Sequence, residues 1–353
     1  MQCFSSEIPY LNFINNELTI SDPNPSLPVV IDLFAGCGGL SLGFEAVGFR
    51  TVGYEMDADS ARTYRQNLQG ECYKVKLDLD SMLSNIDRAN IIIGGPPCQP
   101  FSQGGHQLGL KDSRDGFPIF LSAIERYQPE IAIFENVRGM KYRNKFYLEE
   151  IVDFLQKLGY CVEWKVLNAV RYGVPQRRER LFCVAHKSRW QWPKITHPYH
   201  VYTVGEALGD LAFSIPDNAQ ILTPSMDRYV NKYEIASQCA RPRDLYLDAP
   251  SRTVTCRNLG APTGDMLRIR LPDGRRRRLI PREGARLQSF PDWFQFYGND
   301  RSQCKQIGNA VPPLLAKAIA QSVKRYLQPD LEDISFSADL QPRQLSFSFL
   351  TDV

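Results

Sequence analysis

The sequence predicts an α/β protein: a doubly wound, mostly parallel sheet followed by a second, smaller and less regular domain. Short apolar runs typical of buried strands alternate with amphipathic helical patterns between residues 28 and 194. Glycine- or proline-rich turns follow several of these strands, at the edge where open α/β sheets bind ligands. Beyond residue 194 the alternation stops, and Pro, Tyr, Thr and Arg become more frequent. These observations predict a ligand site in the regular part and a separate role for the segment after it.

The bulk composition is typical of a soluble globular protein of one large or two ordinary domains. The chain has 353 residues, of which 43% are hydrophobic and 23% are charged. No apolar run approaches the ~18 residues of a membrane span, and the N-terminus does not resemble a secretory signal. The nine cysteines are scattered without Cys-x-x-Cys pairs, and the four histidines show no metal-ligand spacing. We therefore expect no membrane contact, no metal and a reducing, cytoplasmic compartment.

The first strand and its turn predict a nucleotide-type site. Residues 1–27 are polar and end in several prolines, so we expect a poorly structured or peripheral lead-in. Residues 28–34 are an apolar strand, and residues 40–47 carry apolar side chains on one helical face. Glu55 ends a second strand about twenty residues after the glycine turn, a spacing at which a carboxylate can hold ribose hydroxyls. The alternative is a strand-end carboxylate without a ligand.

The glycine turn is poorly suited to a dinucleotide. It has glycines at positions 36, 38 and 39 rather than the G-x-G-x-x-G pattern, and Asp32 comes just before it. A carboxylate that points into the turn would repel a phosphate but could face an ammonium group. The turn therefore favours S-adenosylmethionine over a nicotinamide cofactor.

The fourth strand leads into a candidate nucleophile. A helix at residues 57–68 is capped by Asp57, and a third strand at residues 73–77 ends at Asp78. The next strand, residues 90–93, continues into GGPPCQPFS, which places Cys98 on a stiff Pro-Pro support. A thiolate at a strand end can attack a substrate. Most free cysteines are instead small buried apolar residues, but a core strand would not carry these prolines.

Two later turns add an acid and a group of arginines. The strand at residues 130–134 ends in Glu135, which would lie near Cys98 if the two strands are neighbours, and could then donate a proton or a hydrogen bond. After a helix at residues 146–158, the strands at residues 160–170 and 181–185 enclose QRRER at residues 176–180. Arginines there can bind a carboxylate, a phosphate or a base edge, or can form an ordinary surface cluster.

The segment from residue 195 to residue 278 is predicted to be a small, irregular, mostly β domain, with short strands at residues 202–204 and 252–256. Its residues 228–278 contain 12 Lys and Arg against 5 Asp and Glu, a charge of +7 in a chain whose total is +3. Such a concentration is expected of a surface that binds a polyanion, although accidental clustering on a solvated surface is the alternative. The candidates for phosphate or base contact are Arg252, Arg257, Arg268 and Arg270, and residues 275–278 are expected to meet the backbone.

The motifs occur once each and in order: DLFAGCGG at 32–39, GGPPCQPFS at 94–102, ENV at 135–137, QRRER at 176–180, Thr253-Val254, and KQIGNAVPP at 305–313. This set resembles the DNA (cytosine-5-)-methyltransferases of the prokaryotic modification type over about residues 28–327. The resemblance implies a Rossmann-like, S-adenosylmethionine-dependent catalytic domain from residues 28–194 plus 279–327. It implies a target-recognition domain at residues 195–278, and residues 328–353 are expected to be a frayed tail.

The resemblance also implies roles for individual residues. The catalytic residues are Cys98, Glu135, Arg178 and Arg180, with Arg180 near the cytosine O2. The S-adenosylmethionine site comprises Asp32, Phe34, Ala35, Gly36, Gly38, Gly39, Glu55, Met56, Asp78, Leu79, Pro97, Asn309 and Ala310. The DNA contacts add Ser102, Gln103 and Thr253 to the four arginines already named.

The implied partner is duplex DNA carrying a short target, which we expect to be a palindrome, and a cognate restriction endonuclease is the second candidate partner. The enzyme is expected to be a monomer in the cytoplasm, on the nucleoid while it acts. Two alternatives stay open: an RNA (tRNA) cytosine-5 methyltransferase, whose Cys-Phe-Thr element we do not find here, and a catalytically inactive DNA-binding relative.

Overall fold

The computed structural model describes residues 8–79, 86, 88–97, 116–142, 144–236, 238, 244–260 and 265–328. The strands are β1 (Val30–Leu33), β2 (Thr51–Glu55), β3 (Glu71–Lys74), β4 (Ile91–Gly94), β5 (Ile131–Val137), β6 (Cys161–Asn168), β7 (Gln176–Arg177), β8 (Glu179–His186), β9 (Ser251–Arg252), β10 (Arg268–Arg270) and β11 (Arg276–Arg278). The helices are α1 (Pro9–Glu17), α2 (Gly39–Glu45), α3 (Ala58–Asn67), α4 (Phe117–Tyr127), α5 (Lys145–Lys157), α6 (Val204–Leu208), α7 (Pro224–Ala236), α8 (Cys256–Gly260), α9 (Pro281–Leu287), α10 (Asp300–Asn309) and α11 (Pro313–Leu327).

Seven strands form the central sheet in the order β3-β2-β1-β4-β5-β8-β6. The pairs from β3 to β5 are parallel, and β8 runs antiparallel to both β5 and β6. The strand order reverses between β1 and β4, and open α/β sheets bind ligands in the crevice at such a switch point. The predicted α/β sheet is confirmed, and its crevice lies where β1 and β4 end.

The central strands are buried because helices cover both faces of the sheet. All four residues of β1 and all four of β4 are buried, so these strands are continuous apolar runs without alternation. Their register pairs Val30 with Ile91 and Leu33 with Gly94. The two strands therefore end side by side, and the turns that follow them, after Leu33 and after Gly94, lie together.

The two ends of the regular domain pack against each other. A Cβ atom added at Gly43 of α2 would lie 2.3 Å from the backbone nitrogen of Lys317 in α11. Such an approach between two helix backbones requires glycine. Helix α11 therefore returns to the first turn of the fold, so that residues from before and after the segment at residues 195–278 pack together.

Two predictions in the first part of the chain are wrong. The lead-in predicted at residues 1–27 contains helix α1, whose Tyr10 and Ile14 are buried and whose Tyr10 hydroxyl donates to the Gly173 carbonyl at 3.3 Å. Apolar residues four positions apart bury this helix, although prolines and polar residues surround it. The third strand ends at Lys74 rather than at residue 77, because β3 pairs only with the short strand β2.

The inserted segment is less β-rich than predicted. Residues 202–204, predicted as a strand, lead into α6, where Thr203 and Glu206 form a reciprocal capping box. Of the strand predicted at residues 252–256 only Arg252 is in β9, and α8 begins at Cys256. Among the described residues between 195 and 278, helical residues outnumber strand residues. Within the described ranges, no helix has the length and apolar character needed to cross a bilayer.

Candidate active site

The turn after β1 has an unusual backbone. Phe34, Gly36 and Gly38 have φ angles of 61°, 57° and 90°. Positive φ costs a non-glycine residue about 1–2 kcal/mol, so Phe34 adopts it only because its neighbours hold it there. The Ala35 nitrogen donates to the Tyr54 carbonyl at 3.1 Å, and the Gly38 nitrogen donates to the Ala35 carbonyl at 3.0 Å. A fixed, tightly curled backbone therefore faces the crevice.

Glu55 connects this turn to the end of β2. Its Oε2 accepts from the Gly36 nitrogen at 2.9 Å, and its Oε1 accepts from the Asp57 nitrogen at 2.7 Å. Burial raises the pKa of Glu55, while these two backbone donors lower it. The carboxylate thus holds the glycine turn in place at the position predicted for a ribose ligand.

Asp32 lies behind the turn. Its side chain is 1% exposed, and its Oδ2 accepts from the Ser41 hydroxyl at 2.6 Å. Burial raises its pKa to about 7, against the effect of the Ser41 hydrogen bond. The structure differs from the expectation that the Asp32 carboxylate points into the turn and faces an ammonium group. The carboxylate is buried and accepts a hydrogen bond from Ser41 of α2 instead.

A chain of buried hydrogen bonds continues from Ser41, which sequence reasoning missed. The Tyr64 hydroxyl lies 3.1 Å from Ser41 Oγ and 2.6 Å from the Thr51 hydroxyl. Thr51 donates in turn to Glu45, which accepts from the Gly70 nitrogen at 2.9 Å. The polar residues Ser41 and Glu45 inside an apolar helical pattern were the available signal.

The ends of β2 and β3 supply apolar and acidic groups to the crevice. Met56 and Leu79 are 63% and 55% exposed, and Asp78 is also exposed. Exposed apolar side chains next to carboxylates match the chemistry of an adenosine, which has an apolar ring face and hydroxyl and amino donors. These residues, with Glu55, fit the adenosine part of S-adenosylmethionine.

Asn309 and Ala310, both predicted cofactor residues, lie next to the turn that follows β1. A Cβ atom added at Gly39 would lie 3.2 Å from the Ala310 Cβ and 2.5 Å from the Val311 carbonyl oxygen. The segment between α10 and α11 therefore rests on the start of α2, with Asn309 exposed beside it. A Cβ atom added at Gly116 would lie 2.5 Å from Pro97 Cδ and 3.0 Å from Phe34 Cζ, so Phe34 and Pro97 are neighbours.

Glu135 lies against the turn that follows β4. The parallel register pairs Gly94 with Phe134, and a Cβ atom added at Gly95 would lie 3.8 Å from Glu135 Oε2. The Asn136 side-chain amide donates to the Pro96 carbonyl at 3.1 Å. The prediction that these strands are neighbours is confirmed. Cys98, Ser102, Gln103 and the glycine-rich stretch at 101–110 lie outside the described residues.

Arg180 is the partner of Glu135. Its Nε lies 2.9 Å from Glu135 Oε1, and the two side chains are 13% and 10% exposed. The antiparallel pairing of β5 with β8 sets this contact by placing Arg180 opposite Val137. Burial lowers the pKa of Arg180, and the charge of Glu135 raises it. A nearly dry ion pair therefore stands beside the turn that leads to Cys98.

Arg178 has a different environment from the predicted one. It is 1% exposed, and its guanidinium donates to the carbonyls of Val254, Gly308 and Ala310 at 2.8, 3.3 and 2.9 Å. Burial lowers its pKa well below the usual range. These contacts tie β8 to two distant segments, so Arg178 braces the site in this structure instead of facing a substrate.

Gln176 and Gln288 complete this brace. The Gln176 amide donates to the Leu287 carbonyl at 3.0 Å and to Gln288 Oε1 at 2.9 Å, and its oxygen accepts from the Val254 nitrogen. Gln288 donates to the Ile307 carbonyl at 2.6 Å. Gln288 therefore has a structural role, because it joins β7 to the end of α10.

A cavity of about 380 Å³ opens next to the Glu135–Arg180 pair. Its lining residues are Val137, Arg138, Gly139, Arg177, Glu179, Arg180 and Thr253. Sequence reasoning missed Arg138 and gave Glu179 no role, whereas Arg177 is one of the arginines at residues 176–180 that were expected to bind a carboxylate, a phosphate or a base edge. The Thr253 hydroxyl donates to the Arg177 carbonyl at 2.9 Å, which fixes the inserted segment to this wall.

Much of the positive charge predicted to face DNA is neutralised inside the protein. Arg268 is 0% exposed, and its guanidinium contacts Glu234 at 2.8 Å and Asp244 at 2.7 Å. Arg276 is buried against the same two carboxylates and Asp227. The prediction that Arg268 contacts DNA is therefore wrong for this structure, since carboxylates distant in sequence surround it.

The other arginines of this segment divide by exposure. Arg277 is 0% exposed and pairs with Glu283, so the expectation that residues 275–278 all meet a backbone is wrong for its buried members. Arg252 pairs with Asp265 at 3.1 Å. Arg257 is exposed, and Arg270 is 54% exposed although it contacts Asp244. Arg257 and Arg270 thus remain available for phosphate contact.

No metal chemistry is indicated in the described part of the chain. Within it, no group of three His, Cys, Asp or Glu side chains could hold a metal ion. The described cysteines are free thiols, and burial raises the pKa of Cys37 and Cys72 to about 12. These two thiols are buried in the core.

Comparison with known proteins gives a consistent result. Residues 29–325 match the family model of the C-5 cytosine-specific DNA methylases. The Type II methyltransferase M.AplI of Arthrospira platensis is 57% identical over 346 residues, which cover 98% of this chain and 100% of that protein. The Type II methyltransferase M1.HphI of Haemophilus parahaemolyticus is 34% identical, with 83% of this chain and 86% of that protein covered.

Solved structures share the fold. A DNMT2 mutant of Spodoptera frugiperda superposes with a TM-score of 0.67 at 15% identity, over 86% of this chain and 100% of that one. The Dnmt2 methyltransferase of S. pombe gives 0.64 at 17% identity, over 85% and 98%. With the crevice, the acid–arginine pair and the family match together, this chain belongs to the C-5 cytosine-specific DNA methylases, enzymes that use S-adenosylmethionine to methylate cytosine in DNA at carbon 5.

Proposed function

We propose that this enzyme methylates a cytosine that has left a short, specific duplex DNA sequence, through a covalent bond between Cys98 and cytosine C6. A base inside a duplex cannot be reached by a side chain, so the target nucleotide must be extruded. The observation that carries the proposal is the buried Glu135–Arg180 pair, which stands against the turn leading to Cys98. The cavity beside that pair provides an opening of about 380 Å³.

The proposed chemistry follows from these groups. The Cys98 thiolate adds to C6, which moves electron density onto C5 and N3. The Glu135 carboxyl group donates a proton to N3 and so neutralises the negative charge that develops there, while Arg180, which contacts Glu135, approaches O2. The N3 proton returns to Glu135 when the thiolate leaves. S-adenosylmethionine, when bound, supplies an electrophilic methyl group for C5. Loss of the C5 proton to a base and expulsion of the thiolate then restore the aromatic ring and free Cys98.

For the cofactor, we propose that the adenosine lies between Phe34, Met56 and Leu79, with Glu55 and Asp78 as hydrogen-bond acceptors for its hydroxyl and amino groups. The support is the exposure of Met56 and Leu79 and the partial exposure of Phe34 at the switch point of the sheet. Asp32 acts behind the turn, because its carboxylate is bound to Ser41.

The decisive experiment is trapping on a modified base. Duplex DNA that contains 5-fluorocytosine at the target cannot lose a proton from C5, so a covalent intermediate should persist and migrate as a protein–DNA complex under denaturing conditions. A Cys98→Ser variant should form no such complex and transfer no methyl group, yet still bind DNA. Cys161→Ser, at an exposed cysteine on β6, is the control and should behave as the wild type. Turnover by Cys98→Ser would refute the nucleophile assignment.

The remaining proposals concern partners. Labelled S-adenosylmethionine with duplex DNA or with tRNA separates a DNA enzyme from an RNA enzyme, and no transfer to either would indicate an inactive relative. We also propose action as a cytoplasmic monomer beside a cognate restriction endonuclease, supported by the type II names of the relatives. Bisulfite sequencing of DNA exposed to the enzyme would give the target sequence, and the mass in solution would test the monomer.

A further inference from the structure

An exposed ion pair is part of the lining of the cavity. Arg138 Nη1 lies 2.6 Å from Glu179 Oε2, with side chains that are 56% and 39% exposed. Arg138 follows β5 directly, and Glu179 is the first residue of β8, so the pair connects the two strands that carry Glu135 and Arg180. An ion pair this exposed adds little stability, because water and salt screen it. It can therefore be exchanged for another partner at low cost.

A second cation lines the same cavity. Gln176 and Arg178 are 0% and 1% exposed, whereas Arg177 between them is exposed, as alternation along β7 and its continuation requires. Arg177 has no carboxylate partner within 4.0 Å among the residues that the structure describes. Of the three arginines that line the cavity, Arg138 and Arg180 are each paired with a carboxylate, and Arg177 has no such partner among the described residues.

We propose that Arg138 and Arg177 bind the backbone phosphates on either side of the extruded nucleotide, and that Glu179 is a competing anion that holds Arg138 until DNA arrives. This inference rests on the proposed extrusion of the base. A nucleotide that enters the cavity keeps its two flanking phosphates next to the cavity, whose lining includes these two arginines. A phosphate must displace Glu179 to bind Arg138, so the carboxylate lowers the affinity for DNA that places a phosphate there.

The test is the salt dependence of DNA binding by four variants. Arg138→Ala and Arg177→Ala should each weaken binding on the order of tenfold and reduce the slope of log Kd against log salt by roughly 0.9, the loss of one phosphate contact. Glu179→Gln should bind several-fold tighter at low salt. The control is Arg189→Ala, which removes an equal charge from an exposed arginine. Arg189 follows the end of β8 that pairs with the start of β5, whereas the cavity is lined by residues at the other end of both strands.

The effects of Arg138→Ala and Arg177→Ala should be larger on target duplex than on non-target duplex, because only a duplex that extrudes a nucleotide brings its flanking phosphates to these arginines. If both variants keep the salt slope of Arg189→Ala while the wild type binds and methylates DNA, the phosphate site is refuted and the proposed function stands. If Glu179→Gln weakens binding, its role as a competitor is refuted. A wild type that neither extrudes a base, by fluorescence of 2-aminopurine at the target, nor methylates DNA would refute the proposed function itself.

Discussion

The pair Arg277–Glu283 offers a sharp test of how the inserted segment is held. Both side chains are 0% exposed, and the guanidinium contacts the two carboxylate oxygens at 2.9 and 2.6 Å. Arg277 also donates to the carbonyls of Ser214 and Leu211, at 2.9 and 2.6 Å. It therefore joins β11 to α9 and to the turn after α6. Arg277→Met keeps most of the side-chain volume but leaves a buried carboxylate without its cation.

Breaking a buried pair from one side costs about 3–5 kcal/mol, because the remaining charge is uncompensated. For a domain of this size class, we expect a fall in the unfolding temperature of roughly 10 °C. Thermal and urea unfolding followed by circular dichroism would measure it. The matched control is Arg275→Met, whose pair with Asp273 is about half exposed and should contribute little.

A double variant separates two causes of the lost stability: the uncompensated buried charge and the loss of the contacts that the pair makes. Arg277→Met with Glu283→Met removes the uncompensated charge and should recover part of the stability. The recovery is incomplete because Glu283 also accepts from the Ile280 nitrogen at 2.9 Å and caps α9. If Arg277→Met and Arg275→Met unfold at the same temperature, the buried pair does not hold the segment, and the reasoning is refuted.

Three further predictions concern the catalytic part. Glu135→Gln should lower the rate of methyl transfer by roughly 10²–10³-fold and change DNA affinity little, because the substitution removes the carboxyl group that pairs with Arg180 but keeps the size of the side chain. Single-turnover and DNA-binding assays would measure the two effects. Asp32→Asn should remove a pH dependence of stability: burial raises the pKa of Asp32 to about 7, so the folded chain holds a proton that the unfolded chain loses, and wild-type stability falls as pH rises from about 4 to 7. The unfolding temperature of Asp32→Asn relative to wild type should therefore rise over that interval and level off above it; a flat difference would contradict the assignment. Gly43→Ala should destabilise the protein and weaken S-adenosylmethionine binding despite alanine's better helix propensity, because the added Cβ would lie 2.3 Å from the Lys317 backbone nitrogen. The control is Gly139→Ala, whose Cβ would have its nearest neighbour at 4.0 Å and which should unfold at the same temperature as the wild type.

The parts of the site that sequence could predict are those fixed by local pattern. Apolar runs located β1, β4 and β5, and the parallel order of such strands brings their ends together, so Glu135 was expected next to the turn that precedes Cys98. The glycine turn and Glu55 were predicted by spacing. The direction of the Asp32 side chain was not predicted. It depends on the hydroxyl of Ser41, in the first turn of α2, which donates a hydrogen bond to the carboxylate.

The basic segment shows why charge patterns can mislead. The arginines at 268, 276 and 277 were read as a surface for DNA, yet they are buried against Asp227, Glu234, Asp244 and Glu283. These carboxylates come from other elements, and only the tertiary fold brings them to the arginines. Helix α1 is a different case: Tyr10, Ile14 and Leu18 are apolar at intervals of four, so the helical pattern was present and was outweighed by the prolines that follow.

The packing of α11 on α2 has a consequence for the order in which the protein is made. The first strand and its glycine turn leave the ribosome early, but the wall formed by residues 309–311 and the helix behind it is synthesised some 270 residues later. The contact between α2 and α11 therefore cannot form until residue 327 has been added and released. Premature termination anywhere in the segment at residues 195–278 should yield a product that lacks this contact and has no methyltransferase activity.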